Sequence, residues 1–111
     1  MSEKKKADLN DGFTMISNTL LEAMYKCPAL SRADRVLMFI IYQTYGYHHS
    51  ERPLSFEYIG QGVGISREHA CDVVQKLVAQ KIIVKRFEGK GQKQILRVNT
   101  NVSEWVNATR K

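Results

Sequence analysis

Cysteine is scarce. The chain has two, Cys27 and Cys71, among 111 residues and in no C-x-x-C pattern. Isolated thiols of this kind are usually reduced, so no disulfide framework is expected. Zinc is disfavoured too. With His48, His49 and His69 the thiols lack ligand spacing, and adjacent histidines do not face one side of a strand together. No metal and no cofactor are expected. Long apolar runs are missing. Nothing reaches the roughly 18 residues of a spanning helix, and the opening MSEKKKADLND lacks the apolar core of a signal peptide. The expectation is a cytoplasmic protein with no membrane partner. Acidic residues are outnumbered, 11 against 17 basic, giving a net charge of +6. Such a surplus favours a polyanionic partner, without choosing between nucleic acid and an acidic membrane. The length suits one domain with a modest core and leaves no room for a large active-site cleft.

What is present concentrates in residues 55–84, SFEYIGQGVGISREHACDVVQKLVAQKIIV. A short helical segment, a turn at Gly64 and a longer amphipathic helix form a helix-turn-helix pattern. Ser66 is the expected N-cap of the second helix. Ala70, Val73, Val74, Leu77 and Val78 recur at three- and four-residue steps and make its apolar face. Arg67, Glu68, Cys71, Asp72, Gln75 and Lys76 make the opposite face, with His69 near the boundary. The second helix of such a unit lies in the DNA major groove. Base readout is therefore expected from Arg67, His69, Asp72 and Gln75: arginine suits guanine, glutamine suits adenine, and an acid accepts from the cytosine amino group. Glu68 and Asp72 stand four apart and would approach a polyanion. Two readings stand side by side: a DNA-contacting face, on which these acids orient Arg67 or Lys76, and a plain solvated face.

Gly60, Gly62 and Gly64 match neither common phosphate-loop pattern. They are read instead as a close helix approach at Gly60 and a positive φ at Gly64. Ser66, His69 and Asp72 are the residue types of a catalytic triad. On one exposed helix they have neither a pocket nor an oxyanion hole, so no enzyme is expected.

Residues 1–11 read as a flexible basic tail whose Lys4, Lys5 and Lys6 form a phosphate-contacting arm or a solubilising terminus. Residues 13–16 are an extended apolar entry. Ser17 or Asn18 caps a helix that ends near Cys27, before Pro28. Ser31 opens a core helix, with Asp34 fitting a capping box, and Gly46 ends it. Pro53 and Leu54 fit a very short strand. Residues 82–87 and 94–99 are strands joined by EGKGQK, a hairpin or wing. Lys85, Arg86, Lys90, Lys93 and Arg97 lie there against one acid, Glu88. Phosphate contacts are expected from Lys85, Arg86, Lys90 and Lys93, with Ser66 and Lys76 on the helix; a solubilising hairpin tip is the alternative. Ser103 caps a last short helix, in which Trp105 closes the core or an oligomer contact, and residues 109–111 are a tail. The expected fold class is α+β, a winged helix-turn-helix over residues 12–108 with extra N-terminal and C-terminal helical elements.

Several segments resemble one family. Phe13-Thr-Met-Ile16 with Leu20-Leu21, Thr44-Tyr-Gly-Tyr-His48, Gly64-Ile-Ser-Arg67, Ile82-Ile83 and Ser103-Glu-Trp105 look like the N-terminal domain of the O-type replication proteins of lambdoid phages and prophages. The resemblance spans residues 12–105. It implies a winged helix that binds specific double-stranded DNA at a replication origin in the bacterial host cell, often as a homodimer. It also implies that a helicase loader is met only through a C-terminal region missing here, so that the chain is the DNA-binding domain alone or a short member. Asp72 stands where the family usually has a basic or polar residue, and Ile82 where it often has glycine. Two other functions fit the same surface: a phage-encoded transcriptional regulator, and a winged-helix protein-interaction module suggested by Glu68 and Asp72.

Overall fold

A serine starts every α-helix in the computed structural model, which describes residues 16–106. Ser17, Ser31, Ser55 and Ser66 each hold extended backbone, and each hydroxyl accepts from the N–H three residues on. Each cap contributes about 1 kcal/mol. The helices are α1 (Asn18–Tyr25), α2 (Arg32–Thr44), α3 (Phe56–Val63) and α4 (Arg67–Ala79). Strands β1 (Glu51–Pro53), β2 (Ile83–Glu88) and β3 (Lys93–Val98) form an antiparallel sheet in the order β1-β3-β2. The class is α+β, as expected. A helix-turn-helix, α3 and α4, runs directly into the β2–β3 hairpin.

The core forms around α2. Val36, Phe39 and Ile40 are buried there against Ile59 and Val63 of α3, Ala70, Val74 and Leu77 of α4, and Ile83 and Leu96 of the sheet. The apolar face expected on α4 is the face that packs, with Val73 and Val78 half-buried at its margins. Among the described residues, one charged side chain lies inside. Arg35 is 7% exposed; its Nε donates to the Tyr25 carbonyl at 3.1 Å and its Nη2 to the Val63 carbonyl at 2.7 Å. Both carbonyls lie in last helical turns, where the helix dipole favours a cation. One guanidinium thus holds the ends of α1 and α3 together.

The glycines of α3 shape the helix-turn-helix by excluding side chains. Gly64 has φ +90° and closes the turn through hydrogen bonds from its own N–H and that of Ile65 to the Gly60 carbonyl, at 2.8 and 3.0 Å. A Cβ on Gly60 would lie 2.8 Å from the Ile65 carbonyl oxygen, and one on Gly62 would run into the Phe39 ring. The close approach expected at Gly60 is to the turn and the N-cap of α4, where the Ser66 carbonyl oxygen would lie 3.3 Å from that Cβ, and Gly62 adds a second approach, against α2.

Three sequence expectations are corrected. Gly46 does not end α2. The helix tightens into a 3-10 turn at Tyr45–Tyr47, and His48, at φ 65°, takes the left-handed position. The His49 N–H then reaches the Thr44 carbonyl at 2.9 Å. Histidine tolerates this region better than most side chains. The short strand is Glu51–Pro53, not Pro53 and Leu54. Pro53 fits there because β1 is an edge strand and can lack an N–H. The expected C-terminal helix is only a 3-10 turn, Val102–Glu104, with Asn101 and not Ser103 before it. The cause is Asn99, a buried polar residue. Its amide donates to the Lys81 carbonyl at 2.8 Å and to Glu104 at 3.1 Å, and its side-chain oxygen accepts from the Asn101 N–H at 3.1 Å. Trp105 packs on the core margin and its indole N–H donates to the Asn99 carbonyl at 2.8 Å. The basic tail, the entry at 13–15 and residues 109–111 lie outside the described residues.

Candidate nucleic-acid interface

Helix α4 presents the expected polar face to solvent. Arg67, Glu68, His69, Asp72, Gln75 and Lys76 are all exposed. The Ser66 hydroxyl accepts from the His69 N–H at 3.0 Å. At 3.6 residues per turn, His69 lies roughly 200° round the helix from Arg67, with Glu68, Asp72 and Gln75 at about 80–140°. Arg67 and His69 are therefore opposite flanks of one face. The Gln75 amide donates to the Cys71 sulfur at 3.4 Å, which lays that side chain along the helix. Among the described residues, neither Glu68 nor Asp72 forms an ion pair, so the expected orienting contacts to Arg67 and Lys76 are not made.

Arg67 leads into a groove. It lies between the N-terminal ends of α3 and α4 and the hairpin, has a volume of about 730 Å³, and is lined in part by Arg52, Phe56, Arg67, Lys93 and Gln94. Beside it, cations and rings alternate. The Arg67 guanidinium stands 5.9 Å from the Phe56 ring centre; the Lys85 ammonium stands 5.9 Å from the same ring and 5.6 Å from Phe87. Strand alternation puts Lys85 and Phe87 on the same side of β2. The hairpin is fixed to the start of α3 by a reciprocal pair: the Leu54 N–H donates to the Gln94 carbonyl at 3.1 Å, and the Gln94 amide donates to the Leu54 carbonyl at 2.7 Å. Arg52 is held at the groove edge by the carbonyl and the side-chain oxygen of Gln43, at 3.0 and 2.9 Å.

Of the residues expected to meet phosphate, Lys85 and Lys93 reach this region and Lys90 is exposed on the hairpin turn. Lys76 sits near the far end of α4. Arg86 is not brought to the groove. It points from the other side of β2 and reaches across β3 to Glu51, with Nη2 at 2.5 Å, and to Glu88 at 3.6 Å. Hydrogen bonds from Arg86 hold the Glu51 carboxyl below the usual glutamate range, and the Arg97 charge adds to this. Sequence reasoning missed Arg52, Phe56 and Phe87 as members of this surface. The alternation of Lys85 with Phe87 was the available signal.

The chain matches the family described as bacteriophage replication protein O over residues 5–105. Among curated proteins it is similar to replication protein 15 of Enterobacteria phage phi80, 26% identical over 102 residues, covering 92% of this chain and 33% of that protein. It is 29% identical over 103 residues to replication protein O of Escherichia phage lambda, covering 93% of this chain and 29% of the relative. DNA replication protein gp18 of Salmonella phage P22 is 25% identical over 103 residues, covering 93% and 36%. The chain spans about a third of the length of the curated relatives it matches. No solved structure matches it. The family match covers the helix-turn-helix, the hairpin and the groove between them, and the chain belongs to the bacteriophage replication protein O family.

Proposed function

We propose that this domain binds specific sequences in double-stranded DNA at a phage or prophage replication origin, in the cytoplasm of the bacterial host. The observation that carries the proposal is the convergence, on one side of the molecule, of the polar face of α4 with the Arg67 and Lys85 cations and the hairpin. A helix in the major groove places an adjoining hairpin against the flanking backbone and minor groove. In this reading Arg67, His69, Asp72 and Gln75 read bases. Ser66, Lys76, Lys85, Lys90 and Lys93 hold phosphates, while Arg86 serves the sheet first. The role in replication follows the names of the relatives. The domain acts as a homodimer on paired half-sites, and a helicase loader is recruited through a C-terminal region of longer family members.

The test is selection of random duplex DNA by the protein at low and high salt. Enrichment of a motif that persists at moderate salt is expected, with a symmetric motif marking a dimer. Mapping the motif to an origin distinguishes an initiator from a promoter-binding regulator. The unpaired Glu68 and Asp72 favour a second reading, a basic protein partner docked on α4. That reading predicts no salt-sensitive DNA binding at all.

A further inference from the structure

Phe87 lies outside the hydrophobic core. Phe39 is 2% exposed in the core, and Phe56 is half-buried beneath the Arg67 and Lys85 cations. Phe87 is 55% exposed, as open as Leu20 at 54%, but unlike Leu20 it stands on the hairpin beside a cation. It stands near the end of β2, two residues before the turn at Gly89, opposite Gln94 in the register. Its ring is within reach of the Lys85 ammonium, on the strand side nearer α4. An apolar ring held on a paired strand beside cations suits a division of labour in a DNA complex: the cations approach phosphates while the ring enters between bases.

We propose that Phe87 is a wedge that inserts from the minor groove into a base step flanking the site read by α4, unstacking that step and bending the duplex. The inference rests on the DNA-binding reading above. Inserted apolar side chains bend DNA toward the major groove by roughly 20–90°, and steps such as TA and CA yield most easily. The wedge therefore adds selectivity for a deformable step at a position that no side chain of α4 touches. Gly89, at φ +82° with open space around it, lets the turn beyond β2 fold back sharply.

The test uses the duplex enriched by the selection above, labelled at both ends for energy transfer and carrying 2-aminopurine at successive flanking steps. The wild-type protein is expected to shorten the end-to-end distance and to raise fluorescence at one flanking step. Phe87→Ala is expected to abolish both signals and to weaken binding about tenfold, the scale of one lost apolar insertion. Phe87→Leu, which keeps an apolar wedge, is expected to retain most of the bend. Circular dichroism and sedimentation of each variant check folding and self-association. If the wild-type protein binds the duplex with no bend and no fluorescence change, or if Phe87→Ala bends it fully, the wedge is overturned while DNA binding stands. A Phe87→Ala effect seen only in sedimentation overturns it in favour of a contact between protein copies. Failure of the wild-type protein to bind any duplex removes the underlying reading instead.

Discussion

Lys81 holds a conformation that suits glycine better. It has φ 62° and follows α4 in a Schellman exit, with the Ile82 N–H on the Leu77 carbonyl at 2.9 Å and the Lys81 N–H on that of Val78 at 3.0 Å. The glycine that the resemblance implies at Ile82 thus has its conformational counterpart one residue earlier. A left-handed side chain costs about 1–2 kcal/mol, part of which glycine returns through unfolded-state entropy. Lys81→Gly is expected to stabilise the domain by about 0.5–1 kcal/mol. A urea midpoint that falls would contradict this. Arg35 gives the opposite expectation. Arg35→Met leaves two buried carbonyls without their donors and should cost about 2–3 kcal/mol, read as a lowered urea midpoint at unchanged slope. At this scale the sequence is legible where the rule is local. Ser31, Ser66 and Gly64 announce a cap or a turn by their neighbours. Arg35 does not, because its Val63 partner lies 28 residues away and only packing brings them together.

Among the elements, the proposed complex divides the work of binding between α4 and the hairpin. Arg67→Ala is expected to relax sequence preference, losing about 1–3 kcal/mol of discrimination, while Lys90→Ala weakens cognate and random duplexes alike and lowers the salt slope by about one. Binding titrations on both duplexes separate the two; equal losses for Arg67→Ala would falsify its role as a reader. Arg86→Ala should loosen the sheet more than it weakens binding, and Lys85→Ala the reverse. The Glu51–Arg86 bridge also links folding to pH. Its lowered carboxyl pKa contributes stability that is present above the ordinary glutamate value and lost as pH falls through the folded one. Glu51→Gln should flatten the acid side of a stability-against-pH curve; an unchanged acid limb would show that the bridge contributes nothing in solution. Helix faces were legible because 3.6-residue periodicity survives in the sequence of α4. The side to which Arg86 points was not. Alternation distinguishes it from Lys85, but only the covering helices decide which side is the groove. Likewise the C-terminal helix was expected from Ser103 alone, and Asn99 drew that segment into a 3-10 turn.

The whole molecule is a basic domain whose groove lies at the N-terminal end of α4. Its α+β class was readable from the order of periodic segments, and the resemblance carried by Thr44-Tyr-Gly-Tyr-His48 pointed to the family. That segment is where the 3-10 turn after α2 closes on the left-handed His48, a local constraint that leaves a visible sequence trace. The groove was not readable, since it is made by residues from β1, α3, α4 and the hairpin at once. The last described residue is fastened elsewhere: the Val106 N–H donates to the Gln80 carbonyl at 2.7 Å, just past the end of α4. With 13 residues in the helix, that point is about 20 Å from Arg67. A pull applied at residue 106 would therefore load the C-terminal end of α4 before the Arg67 end.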